Sequence, residues 1–243
     1  MKVTFVNGTL DRRHLEAIKD EDVPQPLYPI DWGMADIIKD ALLEFDFFDY
    51  LKRLYDRSGT QLYVIEGGCG IGNALVDLKR GVSIVVREDE PSHSHQHRWK
   101  LQSLSGRHFQ GLEDKIHTTG ATLTRRHADT ASSVEEPYQI DEMIVGPIEQ
   151  YPFERKYDFA LDFKGAAFHF PQQVIPVYGR ILKDGSPAFI RLHTGEQYTG
   201  ENLEFGDFSR LFYQSGLEVV GHSNPKLPIL DFLVESDKMI VAR

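Results

Sequence analysis

Apolar positions along the chain fall into two kinds of pattern. From Asp31, the stretch DWGMADIIKDALLEFDFFDYLKRLY repeats Met34, Ile37, Ile38, Leu42 and Phe45 at helical spacing. That spacing predicts one or two helices, with Asp31 as the N-cap and Ser58 and Gly59 as the stop. QLYVIE (61–66) is different: a short apolar run rich in β-formers and bounded by glycines, the pattern of a buried strand. From there the two patterns alternate. NALVDLKR (73–80) predicts a helix ended by Gly81, VSIVV (82–86) a second strand and DFALDF (158–163) a third. PQQVIPVYGRILKDG (171–185) predicts a helix bent at Pro176, and PAFIRLH (187–193) a strand. NLEFGDFSRLFYQSG (202–216) predicts a helix that Gly216 stops, and LEVVGHS (217–223) and DFLVESDKMIVAR (231–243) predict the closing strands. Strands alternating with helices imply a parallel sheet covered on both faces. The last two strands have no helix between them, so they are expected to pair as an antiparallel hairpin at the sheet edge.

Composition narrows the class. The chain has 243 residues, of which 41% are hydrophobic, enough for one sizeable core with an appended segment. No run approaches the roughly 18 apolar residues that a membrane helix needs, and the opening MKVTFVNGTLDRRHLE turns polar too early for a signal peptide. A formal charge of −10 argues against a large phosphate-tracking surface, and the basic cluster LTRRH (123–127) is too short to reverse that. Nucleic acid and membrane are therefore not expected partners. Cys69 is the one cysteine, so no internal disulfide can form and a reducing, cytoplasmic setting is expected.

The candidate chemistry begins at LYVIEGGCGIGNAL (62–75), where Gly67, Gly68, Gly70 and Gly72 follow the first buried strand and lead into a helix. In open α/β sheets ligands bind beyond the carboxyl ends of the strands, and a glycine turn there permits a close approach to the backbone. The dinucleotide pattern G-x-G-x-x-G would need glycine at position 73, where the chain has Asn73, so a nicotinamide-dependent oxidoreductase is disfavoured.

The spacing is instead E-x-G-x-G-x-G, with Glu66, Gly68, Gly70 and Gly72. This resembles the first motif of class I S-adenosylmethionine-dependent methyltransferases. VGPIEQYPFERKYDFALDF (145–163) is similar to the family stretch leading into its fourth strand. YGRILKDGSPAFIRLH (178–193) resembles the family's helix, R-hydrophobic-L-K-x-G-G turn and strand. The resemblance covers roughly residues 60 to 243. It implies an α/β three-layer sandwich with a mostly parallel seven-stranded sheet and a reversed C-terminal strand. It also implies S-adenosyl-L-methionine as cofactor and a small-molecule or unidentified methyl acceptor. A catalytically inactive binding or scaffold protein of the same fold is the alternative. Residues 1–59 are expected to form a helical cap segment and residues 60–243 the α/β domain, with an insertion around 105–140 that acts as a lid or a plain loop.

By resemblance, Glu66, Gly67, Gly68, Cys69, Gly70 and Gly72 surround the cofactor, and Glu88, ending the second strand, holds the ribose hydroxyls, with Asp89 as the neighbour in register. A carboxylate suits that role because it accepts two hydrogen bonds at once. Pro147 stands where the family often has an aspartate for the adenine amino group. Ile148 would pack on the ring and offer its backbone N–H, with Glu149 as a substitute acceptor. Asp162 follows the fourth strand; it would line the cofactor and methyl-transfer chamber and is a candidate catalytic residue. DFKG (162–165) there, in place of D/N-P-P-Y/F, argues against planar nitrogen acceptors. His169 is a candidate general base because imidazole titrates near neutrality. Each has a plainer reading: Glu66 as a cap, Glu88 and Asp162 as solvent-facing acids, His169 and Cys69 as packing. Tyr28 or Trp32 would touch the cofactor if the N-terminal segment covers it. His93, His95 and His97 share a face only on a strand, and with no carboxylate or thiol cluster nearby no metal site is expected.

Overall fold

A computed structural model describes residues 1–10, 33–84, 104–107, 114–134, 139–195 and 202–237. Its centre is β2 (Leu62–Gly67), flanked in parallel by β5 (Ile116–Thr122) on one side and β7 (Phe159–Asp162) on the other. Beyond β5 come β6 (Glu142–Val145) and then β1 (Lys2–Phe5), both parallel. Beyond β7 come β8 (Pro187–His193), parallel, and then β10 (Ile229–Ser236), antiparallel to both β8 and the edge strand β9 (Leu217–His222). The eight-stranded order is β1-β6-β5-β2-β7-β8-β10-β9. The fold is the expected α/β sheet with its reversed C-terminal hairpin, one strand wider because β1 joins the edge.

Side chains alternate across the central strands and divide the core into two layers. Ile65, Ala160, Ala188 and Ile190 face one side, against α6 (Pro171–Ile181) and α7 (Phe205–Gln214). Leu62, Val64, Phe159, Leu161 and Phe189 face the other. That second face carries α1 (Met34–Asp40), α2 (Phe47–Ser58), α3 (Asn73–Arg80) and α4 (Arg125–Ser132). Both ends of α3 are written locally. Gly72 and Gly81 are left-handed at φ +88° and +65°, and the Gly81 N–H returns to the Asp77 and Leu78 carbonyls. Lys79 and Arg80 in the last turn complement the helix dipole. The first helical segment divides into α1 and α2, and Gly33 rather than Asp31 caps α1; Asp31 lies outside the described residues.

Three expectations are corrected. Val82–Ile84 is a strand, β3, but it pairs antiparallel with β4 (Leu104–Arg107) in a separate two-stranded sheet. The place beside β2 belongs to β5, whose sequence IHTTGAT reads as polar. Its hydroxyls are accommodated inside the fold: the Thr118 N–H and Oγ1 both donate to Asp141 Oδ2, at 2.8 and 2.9 Å, so a fully buried threonine sits there without an unmet polar group. Gly120 is required because a Cβ there would fall 2.5 Å from Cys69 Sγ.

It follows that residues 116–132, inside the span expected as an insertion, are part of the main sheet and its helices. The N-terminal segment is also no separate unit. β1 extends the sheet, the Met34 N–H donates to buried Asp77 Oδ2 at 2.8 Å, and Asp40 joins a buried network described below.

Candidate functional site

The carboxyl end of β2 runs into the glycine turn, and the turn's backbone conformation explains its composition. Gly68, Gly70 and Gly72 have φ of +69°, +57° and +88°, values that side-chain-bearing residues rarely adopt. The Cys69 N–H is anchored to the Ala121 carbonyl at 2.9 Å, and the Gly72 N–H to the Cys69 carbonyl at 2.8 Å. The close approach at Gly67 and Gly68 comes from the protein's own chain. A Cβ on Gly68 would lie 2.6 Å from the Ala166 nitrogen, and one on Gly67 would lie 2.5 Å from Asp162 Oδ2. Gly72 faces Ile140 in the same way, at 2.8 Å.

The segment pressing on the turn is the link from β7 to the short helix α5 (Ala166–His169). Asp162 ends β7 fully buried and holds this link together. Its carboxylate accepts from Tyr178 Oη at 2.6 Å, the Ala167 N–H at 2.9 Å and the Gly165 N–H at 3.1 Å. Burial pushes its pKa up to about 7, against the pull of those three donors. Tyr178, equally buried and facing that carboxylate, is held well above its ordinary value.

Lys164 follows in a left-handed conformation, φ +59°, alone in this among the described non-glycine residues. Its ammonium pairs with Asp40 at 3.3 Å. Asp40 is in turn bound by Arg191 Nη1 at 2.6 Å, and Arg191 makes a two-pronged contact with Asp231 at 2.6 and 2.9 Å. The Arg191 guanidinium also lies 3.9 Å from the centre of the Phe163 ring.

Where the sheet's strand order reverses, a pocket of about 460 Å³, counting its mouth, lies beyond the strand tips. Gly68 is its floor on the β2 side, and Ala121, Thr122 and Leu123 bound it at the end of β5. Gly146, Ile148 and Glu149 bound it beyond β6, while Lys164, Gly165 and Ala166 do so beyond β7. His169, Phe170 and Val174 close the remaining side.

Of the residues singled out in the sequence, Gly68, Ile148 and His169 border this space. The His169 ring stands edge-on to Phe168 at 5.5 Å. Glu66, Gly67, Cys69, Gly70 and Gly72 build the turn and are not among the pocket-lining residues; Cys69 packs its sulfur 3.7 Å from Met143 Sδ. Asp162 lies behind the β7–α5 link, bound to Tyr178, and is also not a lining residue. Glu88, Asp89, Tyr28, Trp32 and His93, His95 and His97 lie outside the described residues. Thr122 and Leu123 stand at the end of β5, the strand beside β2, and the carboxylate among the described lining residues is Glu149.

Sequence reasoning missed Thr122, Leu123, Lys164 and Gly165. The signal available for the last two was DFKG itself, a strand end followed by a residue forced into a glycine-like bend. No helix among the described residues is long and apolar enough to cross a membrane.

No family model and no curated protein matches the sequence. Solved structures do match the fold. A magnesium protoporphyrin IX methyltransferase from Synechocystis, solved with bound S-adenosylmethionine, is similar at 11% identity and a TM-score of 0.53, over 95% of this chain and all of that one. A S-adenosylmethionine-dependent methyltransferase from Clostridium acetobutylicum is similar at 10% identity and TM-score 0.52, over 84% of this chain and 96% of that one. A TehB-like methyltransferase from Corynebacterium glutamicum is similar at 14% identity and TM-score 0.50, over 84% and 94%. The mostly parallel sheet with its reversed strand β10 is thus that of the class I S-adenosylmethionine-dependent methyltransferase fold.

Proposed function

We propose that the protein binds S-adenosyl-L-methionine in the pocket at the tips of β2, β5, β6 and β7 and transfers its methyl group to a small-molecule acceptor. The observation that carries this reading is the pocket's position and polarity. It lies at the switch point of the sheet, with an apolar wall and a carboxylate beyond β6 and a cation beyond β7. A ligand with an adenosine at one end and an amino acid at the other matches that polarity.

When bound, the cofactor supplies a methyl group on a sulfonium, so the protein's own residues need only bind, align and handle a proton. Ile148 and Phe170 offer apolar surface to the adenine, and Glu149 an acceptor for its amino group or for the sugar hydroxyls. Thr122 and Leu123 bound the sugar, and Gly68 and Gly146 leave the middle of the pocket free of side chains. Asp162 acts at a distance, as a positioning residue for the link that carries Lys164 and Gly165. His169, on the wall nearest the β7–α5 link, takes the acceptor's proton where the acceptor must lose one.

Isothermal titration of the full chain tests this. S-adenosylmethionine and S-adenosylhomocysteine are each expected to bind with one site per chain and a Kd in the micromolar range or tighter. No heat at high micromolar ligand would overturn it. Binding of both ligands with no product across a broad panel of hydroxyl, carboxyl, thiol and amine acceptors would keep the site and remove the transferase.

A further inference from the structure

Lys164 combines three features that no packing role explains together. It borders the pocket, its backbone is left-handed at φ +59°, and its ammonium pairs with Asp40 at 3.3 Å. The strained conformation carries a cost that glycine at the same position would avoid, and such strain persists where the surroundings over-determine it. Gly165, the next residue, shows that this turn already tolerates glycine.

The pairing with Asp40 is also replaceable. Asp40 keeps Arg191 Nη1 at 2.6 Å if Lys164 departs, so its carboxylate is not left without a cation. Arg191 in turn keeps Asp231. Lys164 can therefore exchange partners without uncovering a buried charge. Its side chain is about one-third exposed, on a long flexible stem, whereas Arg191 is buried and committed. Of the two cations on Asp40, only Lys164 is placed to turn toward the pocket.

We propose that Lys164 is the exchangeable counter-ion for the carboxylate at the amino-acid end of the cofactor: paired with Asp40 when the pocket is empty, and with the ligand carboxylate when it is filled. This rests on the reading of the pocket as an S-adenosylmethionine site. It places the amino-acid end beyond β7 and the adenine beyond β6. It also makes the contact between α1 and the pocket rim dependent on ligand, because the Lys164–Asp40 bridge is one of the ties between them.

The test compares two ligands on two variants. S-adenosylhomocysteine carries the carboxylate; 5′-methylthioadenosine keeps the adenosine and the sulfur but lacks it. Lys164→Gly relieves the left-handed strain, so its melting temperature is expected to be no lower than that of the unmodified protein. Its S-adenosylhomocysteine affinity is expected to fall about tenfold or more, as for loss of a charge-assisted hydrogen bond, with 5′-methylthioadenosine affinity within twofold. Lys164→Arg is expected to keep most of the S-adenosylhomocysteine affinity. The tenfold difference should also shrink as salt is raised, because the pair is partly exposed. S-adenosylhomocysteine binding by Lys164→Gly within twofold of the unmodified protein would overturn the assignment, as would an equal loss for both ligands. If the unmodified protein binds neither ligand, the cofactor reading itself fails, and the two failures are told apart.

Discussion

Asp162 shows how far a residue's role depends on what surrounds it. On sequence it is an acid after a strand; in the fold it is fully buried and accepts from Tyr178 and two backbone amides. Burial lifts its pKa to about 7, so between the ordinary carboxylate range and about pH 7 the folded protein binds more protons at this site than the unfolded chain does. The stability contributed by this residue therefore falls as pH rises through that window, and is flat above it. Asp162→Asn is expected to remove that part of the slope. Urea unfolding of both proteins from pH 4.5 to 8, within the window set by about 4 and about 7, is the measurement. An unchanged difference in stability across the range would contradict the shifted titration.

Glycines carry a second lesson at this scale. The turn glycines were expected to make room for a ligand. Gly67 and Gly68 make room for Asp162, Gly165 and Ala166, and only Gly68 also borders the pocket. The left-handed backbone at Gly68, Gly70 and Gly72 is what the E-x-G-x-G-x-G spacing encodes.

Among elements, a buried ion-pair network ties α1, β8 and β10. Arg191 and Asp231 are both buried, and Asp231 Oδ2 also accepts from the Leu42 N–H at 2.5 Å and the Leu43 N–H at 3.3 Å. Removing Asp231 leaves the Leu42 and Leu43 amides without their acceptor and the buried Arg191 with Asp40 alone. Asp231→Ala is expected to cost about 3–5 kcal/mol, read as a shift in the urea midpoint. Asp40→Asn, at a partly exposed end of the same network, is expected to cost about 1 kcal/mol or less. Equal losses would mean that the buried pair is not what fixes α1. PAFIRLH shows Arg191 in the middle of a strand, but its partners stand at positions 40 and 231, and nothing local links them.

The elements that sequence reasoning placed well, β2, α3, α6, β8 and the closing hairpin, have strong apolar periodicity or glycine ends. β5 escaped because several of its buried positions are threonines with polar partners, Thr118 with Asp141 and Thr119 with Tyr157, and α4 because it is short and mostly polar. β6 is only EMIV, four residues long.

For the whole molecule, the place of β5 beside β2 shapes the candidate site. With Ile116–Thr122 there, Thr122 and Leu123 bound the pocket. Amide hydrogen exchange can check this directly. Central strands β2, β5 and β7 are expected to exchange slowest, and the edges β1 and β9 faster. Slow exchange at 82–84 with fast exchange at 116–122 would contradict the place of β5 beside β2 and of β3 outside the main sheet.

By itself the sequence determined the fold class, the glycine turn and the hairpin that ends the sheet. Each of these is local: a run of apolar residues, a left-handed bend, two strands with no helix between them. Only the tertiary structure decided which strand lies beside β2, what the glycines press against and which side chains reach the pocket. Those depend on hydrogen bonds and ion pairs between residues far apart in the chain, such as Thr118 with Asp141 and Arg191 with Asp40 and Asp231. Hydrophobic patterning records where the chain buries itself; it carries no mark of which polar partners are waiting there.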